Sequence, residues 1–169
     1  MRKFELISKK QFDIDFKNTN ANYNDLLLPK RNTKFSAGYD FYLPFDIELK
    51  PNEMLIIPTG IKVEMNEDEF LGIYIRSSLG FKYNIRMCNQ VGIIDFDYYN
   101  NTNNEGHIFV NLKNEGENTV YLKKNDRYVQ GIFQKYYTVD NEEKIENKRV
   151  RGLGSTNKER WIKWIKNII

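Results

Sequence analysis

Cysteine is almost missing from this chain: Cys88 is the only one in 169 residues. A single thiol excludes an intrachain disulfide, and the expectation is a reducing, cytoplasmic setting. Histidine is as scarce, with His107 alone. Neither residue stands in a metal-ligand or nucleophile–base spacing, and both are read as structural. Long apolar runs are missing too, since no stretch approaches the roughly 20 residues a membrane helix needs. Met1-Arg2-Lys3-Phe4-Glu5 is followed by no apolar core with a small-residue cleavage site, so no secretion signal is expected. No Gly-Lys-Ser or Gly-Lys-Thr closes a glycine loop, which excludes a Walker-type phosphate site. No internal repeat and no second domain are visible.

What is present is one domain's length of ordinary globular composition, 40% hydrophobic and 14% aromatic. Charge is unevenly placed. From Lys144 onward there are eight basic and two acidic residues, against 18 basic and 21 acidic in the rest. A basic tail on a mildly acidic body points to a polyanion, either nucleic acid or a triphosphate.

The hydrophobic pattern is that of short strands. Phe41-Tyr42-Leu43 ends at Pro44, and Ile61, Val63 and Met65 alternate with polar neighbours. Residues 70–75 are apolar, Ile108, Val110 and Leu112 alternate, and so do Val120 and Leu122. Tyr128 to Tyr136 reads as a late aromatic strand. Such spacing, with turns between and no long helical period, predicts an all-β sandwich or barrel. Phe12-Asp13-Ile14-Asp15-Phe16 also alternates like a strand. The asparagine-rich run Asn100–Asn104 is expected to project into solvent as a loop tip. Trp161, Trp164, Ile165 and Ile168 recur at helical spacing behind a capping-box sequence from Thr156 to Glu159. A short amphipathic helix is expected there, its Trp/Ile stripe covered by the body or by another subunit. The resulting division is a β domain over 1–147, a glycine-rich segment over 148–157 and an amphipathic extension over 158–169.

Three segments and one longer stretch could carry chemistry. Arg76-Ser77-Ser78-Leu79-Gly80 follows a strand and offers a fork of donors, hydroxyls and unobstructed amides to an anion. A turn with a surface arginine is the plainer alternative. Arg149, Arg151 and Gly152-Leu153-Gly154-Ser155-Thr156 form a basic glycine-rich segment, which could wrap phosphates or serve as a linker. Asp126, Arg127 and Gln130 open a late strand. Asn89 to Tyr98 packs an amide, Gly92, Asp95, Asp97 and Tyr98 into ten residues, suited to a hairpin with a polar tip or to a small-ligand site.

Together these segments give the chain a resemblance to the trimeric dUTP pyrophosphatases over roughly residues 25–157. All five family motifs stand in family order: Ala37-Gly38-Tyr39-Asp40-Phe41, then Arg76 to Gly80, Asn89 to Tyr98, Asp126-Arg127-Tyr128-Val129-Gln130, and the tail ending Gly154-Ser155-Thr156. The resemblance implies a jelly-roll-like homotrimer that hydrolyses dUTP to dUMP and pyrophosphate with Mg²⁺. Its sites lie between subunits, and the tail closes over them. It implies that Asp95 holds the attacking water as general base, and that Asn89, with the backbone around Gly92 and Ile94, reads uracil. Tyr98 would lie against the deoxyribose. Arg76, Ser77, Ser78, Gly80 and Gln130 would hold phosphates, with Ser77 near the α,β-bridging oxygen. Arg149, Leu153, Gly154 and Ser155 would contribute from the tail. Asp40 and Arg127 would organise the interface, and the metal would ride on phosphates and water with no protein ligands.

Two departures stand out. The family tail carries a phenylalanine that stacks on uracil, where this chain has Leu153, and Arg151 replaces a glycine. The chain also extends beyond the usual end and lengthens the turn after Tyr98. One rival is a dCTP deaminase-like enzyme of the same fold, which would lack the Asp95–Tyr98 arrangement. Another is a dUTPase-like regulatory module that binds a protein. No membrane and no stable nucleic-acid partner are expected, although Lys158, Arg160, Lys163 and Lys166 are basic beyond the tail motif's needs.

Overall fold

The computed structural model describes residues 1–144. The expected phosphate-binding tail (148–157) and amphipathic extension (158–169) lie outside the described residues. Within them, eleven strands and two short helices follow in order. They are β1 (Lys3–Leu6), α1 (Lys9–Asp15), β2 (Tyr39–Tyr42), β3 (Ile47–Leu49), β4 (Met54–Pro58), β5 (Ile61–Glu64) and β6 (Glu69–Ile75). Then come α2 (Ser77–Tyr83), β7 (Ile85–Met87), β8 (Gly92–Asp95), β9 (Phe109–Asn114), β10 (Val120–Leu122) and β11 (Arg127–Lys135).

Every strand pairing is antiparallel. The largest sheet runs β2-β11-β6-β8, and a second runs β4-β9-β7, with β1-β5 and β10-β3 as two-stranded pairs. The alternation in β9 shows how the core forms: Val110 and Leu112 are buried while Phe109, Asn111 and Lys113 are half-exposed. The inward residues of all these sheets meet in one cluster that includes Phe41, Ile57, Leu71, Ile73, Met87 and Tyr128.

Residues 12–16 are not a strand. Phe12 and Phe16 are four apart, and the helix α1 stacks their rings with centroids 4.3 Å apart. The helix is started by Ser8, whose hydroxyl accepts the Gln11 N–H at 3.1 Å. With Ile7, the two rings form a satellite cluster against Tyr23 and Phe45. Five residues that satisfy both periods cannot separate strand from helix, and the cap decided it.

The Asn100–Asn104 run also differs from expectation, because Asn101 and Asn104 are buried. Asn101 Nδ2 donates to the Tyr98 carbonyl at 2.8 Å and to Asn104 Oδ1 at 2.9 Å. Asn104 Nδ2 donates to the Tyr98 hydroxyl at 2.9 Å. These amides replace the strand partners that an irregular loop lacks, so the loop folds inward. Gly106 closes it at φ +81, where a Cβ would stand 2.6 Å from the Tyr98 carbonyl oxygen.

Charged groups fix the edges. Glu69 is the first residue of β6 and only 3% exposed. Its carboxyl lies below the usual range because Arg2 donates to it. Tyr136 then pins the end of β11 by donating to the Glu67 carbonyl at 3.0 Å.

His107 is fully buried and tied on both nitrogens: Nε2 accepts the Gly60 N–H at 2.8 Å, and Nδ1 donates to Asp15 at 2.6 Å. These partners fix the neutral tautomer and hold α1 against the body. Burial lowers the imidazole pKa, overriding the opposing pull of Asp15 and Glu105. Protonation would aim an Nε2–H at the Gly60 N–H. A depressed folded pKa means that stability is fully present above the unfolded value of about 6.5 and is lost as pH falls below it. The melting temperature should therefore drop between pH 7 and pH 5. In His107→Gln, which keeps an acceptor and a donor but does not titrate, that part of the drop should vanish.

Candidate active site

The sheet end formed by β2, β11 and β6 gathers three of the singled-out segments around one carboxylate. Asp40 on β2 is 8% exposed and lies opposite Gln130 in the β11 register. Arg76 Nε reaches Asp40 Oδ1 at 3.0 Å, and Arg127 Nη1 reaches Oδ2 at 3.4 Å. Asn32 Nδ2 also donates to Oδ2. Arg76 adds a 3.4 Å bond to the Arg127 carbonyl. One buried carboxylate thus holds two guanidiniums side by side, leaving their remaining donors at a partly exposed rim. Gln130 covers Gly38, where a Cβ would lie 2.3 Å from Gln130 Oε1. A larger residue at Gly38 would displace the Gln130 side chain from this end of the sheet.

Arg76 lies between the end of β6 and the start of α2 as the helix N-cap, so the turn weighed as the plainer alternative is instead the start of a helix. Its own N–H is bound by the Tyr128 carbonyl at 3.1 Å, which fixes the helix start on β11. Ser77 and Ser78 are exposed at this first turn, where main-chain N–H groups have no intrahelical acceptor. Gly80 has open space around it, with only the Ile85 carbonyl oxygen 3.8 Å from an added Cβ. Leu79 anchors the helix in the core.

The stretch from Asn89 to Tyr98 is not a paired hairpin. The strand before it, β7, pairs with β9, and the strand within it, β8, pairs with β6. Asn89 and Gln90 form the exposed crossing between two sheets, with Gln90 at φ 62. Gly92 has a reason inside the chain, since a Cβ there would lie 3.1 Å from Ile73 Cβ. Ile94 packs on the core while Ile93 is 53% exposed. Asp95 ends β8 half-buried. Tyr98 is 6% exposed, and its hydroxyl donates to the His107 carbonyl at 2.8 Å. A sugar platform at Tyr98 would have to use the small remaining exposed part of the ring.

The β6 register separates the two halves. Asp95 lies opposite Phe70, and Arg76 follows the far end of the same strand. Six residues at about 3.3 Å each put roughly 20 Å between them along the strand. Within one copy the cradle and this carboxylate therefore stand well apart. Arg149, Leu153, Gly154 and Ser155 lie outside the described residues. Asn32 and the His107–Asp15 pair went unread in the sequence, because a loop asparagine and a lone histidine carry no spacing signal. Among the described residues, no three His, Cys, Asp or Glu side chains are grouped to hold a metal ion.

Antiparallel sheets around one core, with an arginine–hydroxyl cradle at one sheet end, define an all-β protein with a candidate anion site. The chain belongs to the dUTPase family: the family's sequence model matches residues 24–157. It is 41% identical over 146 residues to the deoxyuridine 5'-triphosphate nucleotidohydrolase of Lactococcus lactis, covering 86% of this chain and 95% of that protein. The dUTPase of Streptococcus mutans superposes with a TM-score of 0.67 at 40% identity, over 82% of this chain and 98% of that one. A mutant dUTPase of phage phi11 of S. aureus, described for its coordination of a structural Mg(II) ion, shares the fold at TM-score 0.64. It is 19% identical and covers 87% of this chain and 97% of its own. The all-β, jelly-roll-like reading therefore holds.

Removing the central carboxylate should be costly. Asp40→Asn leaves two guanidiniums facing each other, and a loss on the order of 2 kcal/mol is expected. Urea denaturation of the variant checks it. An unchanged midpoint would mean that Asp40 is not the organising group.

Proposed function

We propose that the protein hydrolyses dUTP to dUMP and pyrophosphate, in sites formed between the copies of a homotrimer. Family membership supports the reaction. The single observation that carries the arrangement is the placement of Asp95 and of Arg76–Ser77 at opposite ends of β6.

In this reading the triphosphate enters the rim where Arg76, Ser77, the amides near Ser78 and Gly80, and Gln130 converge. Two guanidiniums locked on Asp40 present fixed donors, which cost no reorganisation as charge develops on the leaving pyrophosphate. Ser77 lies nearest the α,β-bridging oxygen, where that charge is greatest. A second copy brings Asp95, whose carboxylate orients a water and takes its proton as the water attacks the α-phosphorus. The phosphorus–bridging-oxygen bond breaks, and pyrophosphate leaves. Asn89 and the backbone from Gly92 to Ile94 read the uracil edge, and the remaining exposed part of Tyr98 meets the deoxyribose. Arg149, Leu153, Gly154 and Ser155 close from the tail. Magnesium brought in on the triphosphate would need no ligand from this chain and would supply charge neutralisation at the leaving pyrophosphate. The setting proposed is the cytoplasm, where the single thiol stays reduced.

A second reading rests on a phage relative. The dUTPase of Staphylococcus bacteriophage 80alpha, 19% identical to this chain, is described as controlling transfer of virulence genes. A regulatory protein partner is thus a possible addition to the enzymatic role, since the chain keeps its full set of candidate catalytic residues. The deaminase alternative predicts ammonia from dCTP.

The test is a hydrolysis panel of dUTP, UTP, dTTP and dCTP. Pyrophosphate should be released from dUTP alone, and Asp95→Asn should lower kcat by about 10²–10⁴-fold. Equal rates for wild type and variant would sink the mechanism. Leu153→Phe restores a ring over the base, and a lower KM for dUTP is expected at similar kcat.

A further inference from the structure

Tyr98 is buried without joining either of the two apolar clusters. The asparagine loop that follows brackets it instead. Asn101 Nδ2 donates to its main-chain carbonyl at 2.8 Å, and Asn104 Nδ2 donates to its hydroxyl at 2.9 Å. The hydroxyl in turn donates to the His107 carbonyl at 2.8 Å. Directional hydrogen bonds at both ends therefore set where the ring stands.

Asn104 has no freedom left. Its Nδ2 also donates to the His107 carbonyl at 3.2 Å. Its Oδ1 accepts from Asn101 Nδ2 at 2.9 Å and from the Gly106 N–H at 3.2 Å. A side-chain amide has two donor hydrogens and two acceptor lone pairs, and here all are in use. Turning the amide over would set its N–H groups against two other donors, so Asn104 presents only a donor to the Tyr98 hydroxyl. The loop is itself braced against the body. The Ser8 N–H donates to Glu105 Oε2 at 3.0 Å, and Lys62 Nζ donates to Asn100 Oδ1 at 2.8 Å. Ser8 precedes the region matched by the family model, so part of this brace comes from outside it.

We infer that Asn104 is a positioning residue for sugar selection: it fixes the Tyr98 ring, and through it how strongly a ribose is refused in favour of a deoxyribose. The inference rests on the dUTPase reading, in which the exposed part of Tyr98 meets the deoxyribose. Asn104 is buried and acts through Tyr98. A wall refuses an added hydroxyl only as far as it resists being pushed back, and about 1 Å of give undoes a close fit. With Asn104 in place, the Tyr98 ring cannot recede without breaking a bond at its hydroxyl.

The test compares hydrolysis of dUTP and UTP by the full chain, as wild type, Asn104→Leu, Tyr98→Phe and the double variant. The quantity read is the ratio of kcat/KM for dUTP to that for UTP, which does not depend on how much of each preparation is folded. Asn104→Leu removes the donor, and Tyr98→Phe removes the hydroxyl but keeps the ring. Each should lower the ratio by about tenfold, the scale of one hydrogen bond, chiefly by admitting UTP. Both changes cut the same tether, so the double variant should match the single variants rather than multiply their effects. Should Asn104→Leu fail to fold, Tyr98→Phe alone decides. An unchanged ratio, or effects that multiply, beside a wild type that hydrolyses dUTP overturns the inference and leaves the proposed reaction standing. A wild type that does not hydrolyse dUTP overturns the reaction, and the inference with it.

Discussion

The structure depends on the pairing of β6. This seven-residue strand lies between β11 and β8 and begins at a buried Glu69 held by Arg2. Its register fixes what sits at each end. At the far end, Arg76 turns into α2 and meets the Asp40 carboxylate. At the near end, β8 delivers Asp95 opposite Phe70. A one-residue slip would move every side chain of β8 to the other face, so a core built on Leu71 and Ile73 locks this separation. The two halves of the candidate site are therefore set apart by the core that stabilises the fold.

The cradle end is made rigid by charge. Asp40 is the only acidic group in direct contact with both Arg76 and Arg127 among the described residues. Its near-complete burial strengthens those contacts but would be costly without them. Preorganisation follows, because the Asp40 carboxylate already orients both guanidiniums before an anion arrives. That is the property a phosphate-transfer site needs most, as charge stabilisation must be in place when the leaving group departs.

Much of this was legible in the residues. Alternation such as Ile61, Val63 and Met65 reports a half-buried strand directly, and the five ordered motifs located Asp40, Arg76, Asp95 and Gln130. What was not legible depends on tertiary partners. Phe12 and Phe16 fit both a strand and a helix, and Ser8 capping with ring stacking selected the helix. Asparagines read as solvent-facing because their amides are polar, yet Asn101 and Asn104 use those amides to satisfy buried carbonyl and hydroxyl groups. The stretch around Gly92 looked like a hairpin because sequence shows the turn but not which sheet each strand joins. Gly92 itself answers to Ile73 beneath it.

The central claim is that cradle and carboxylate in each site come from different copies. Activity complementation tests it most directly. Ser77→Ala and Asp95→Asn proteins, each inactive alone, are mixed under conditions that exchange subunits. If sites form between copies, random assortment gives about a quarter of them an intact Ser77 and an intact Asp95, and dUTP hydrolysis returns to about that fraction of the wild-type rate. No recovery in a mixture whose subunits have demonstrably exchanged would place both groups in one chain and contradict the claim.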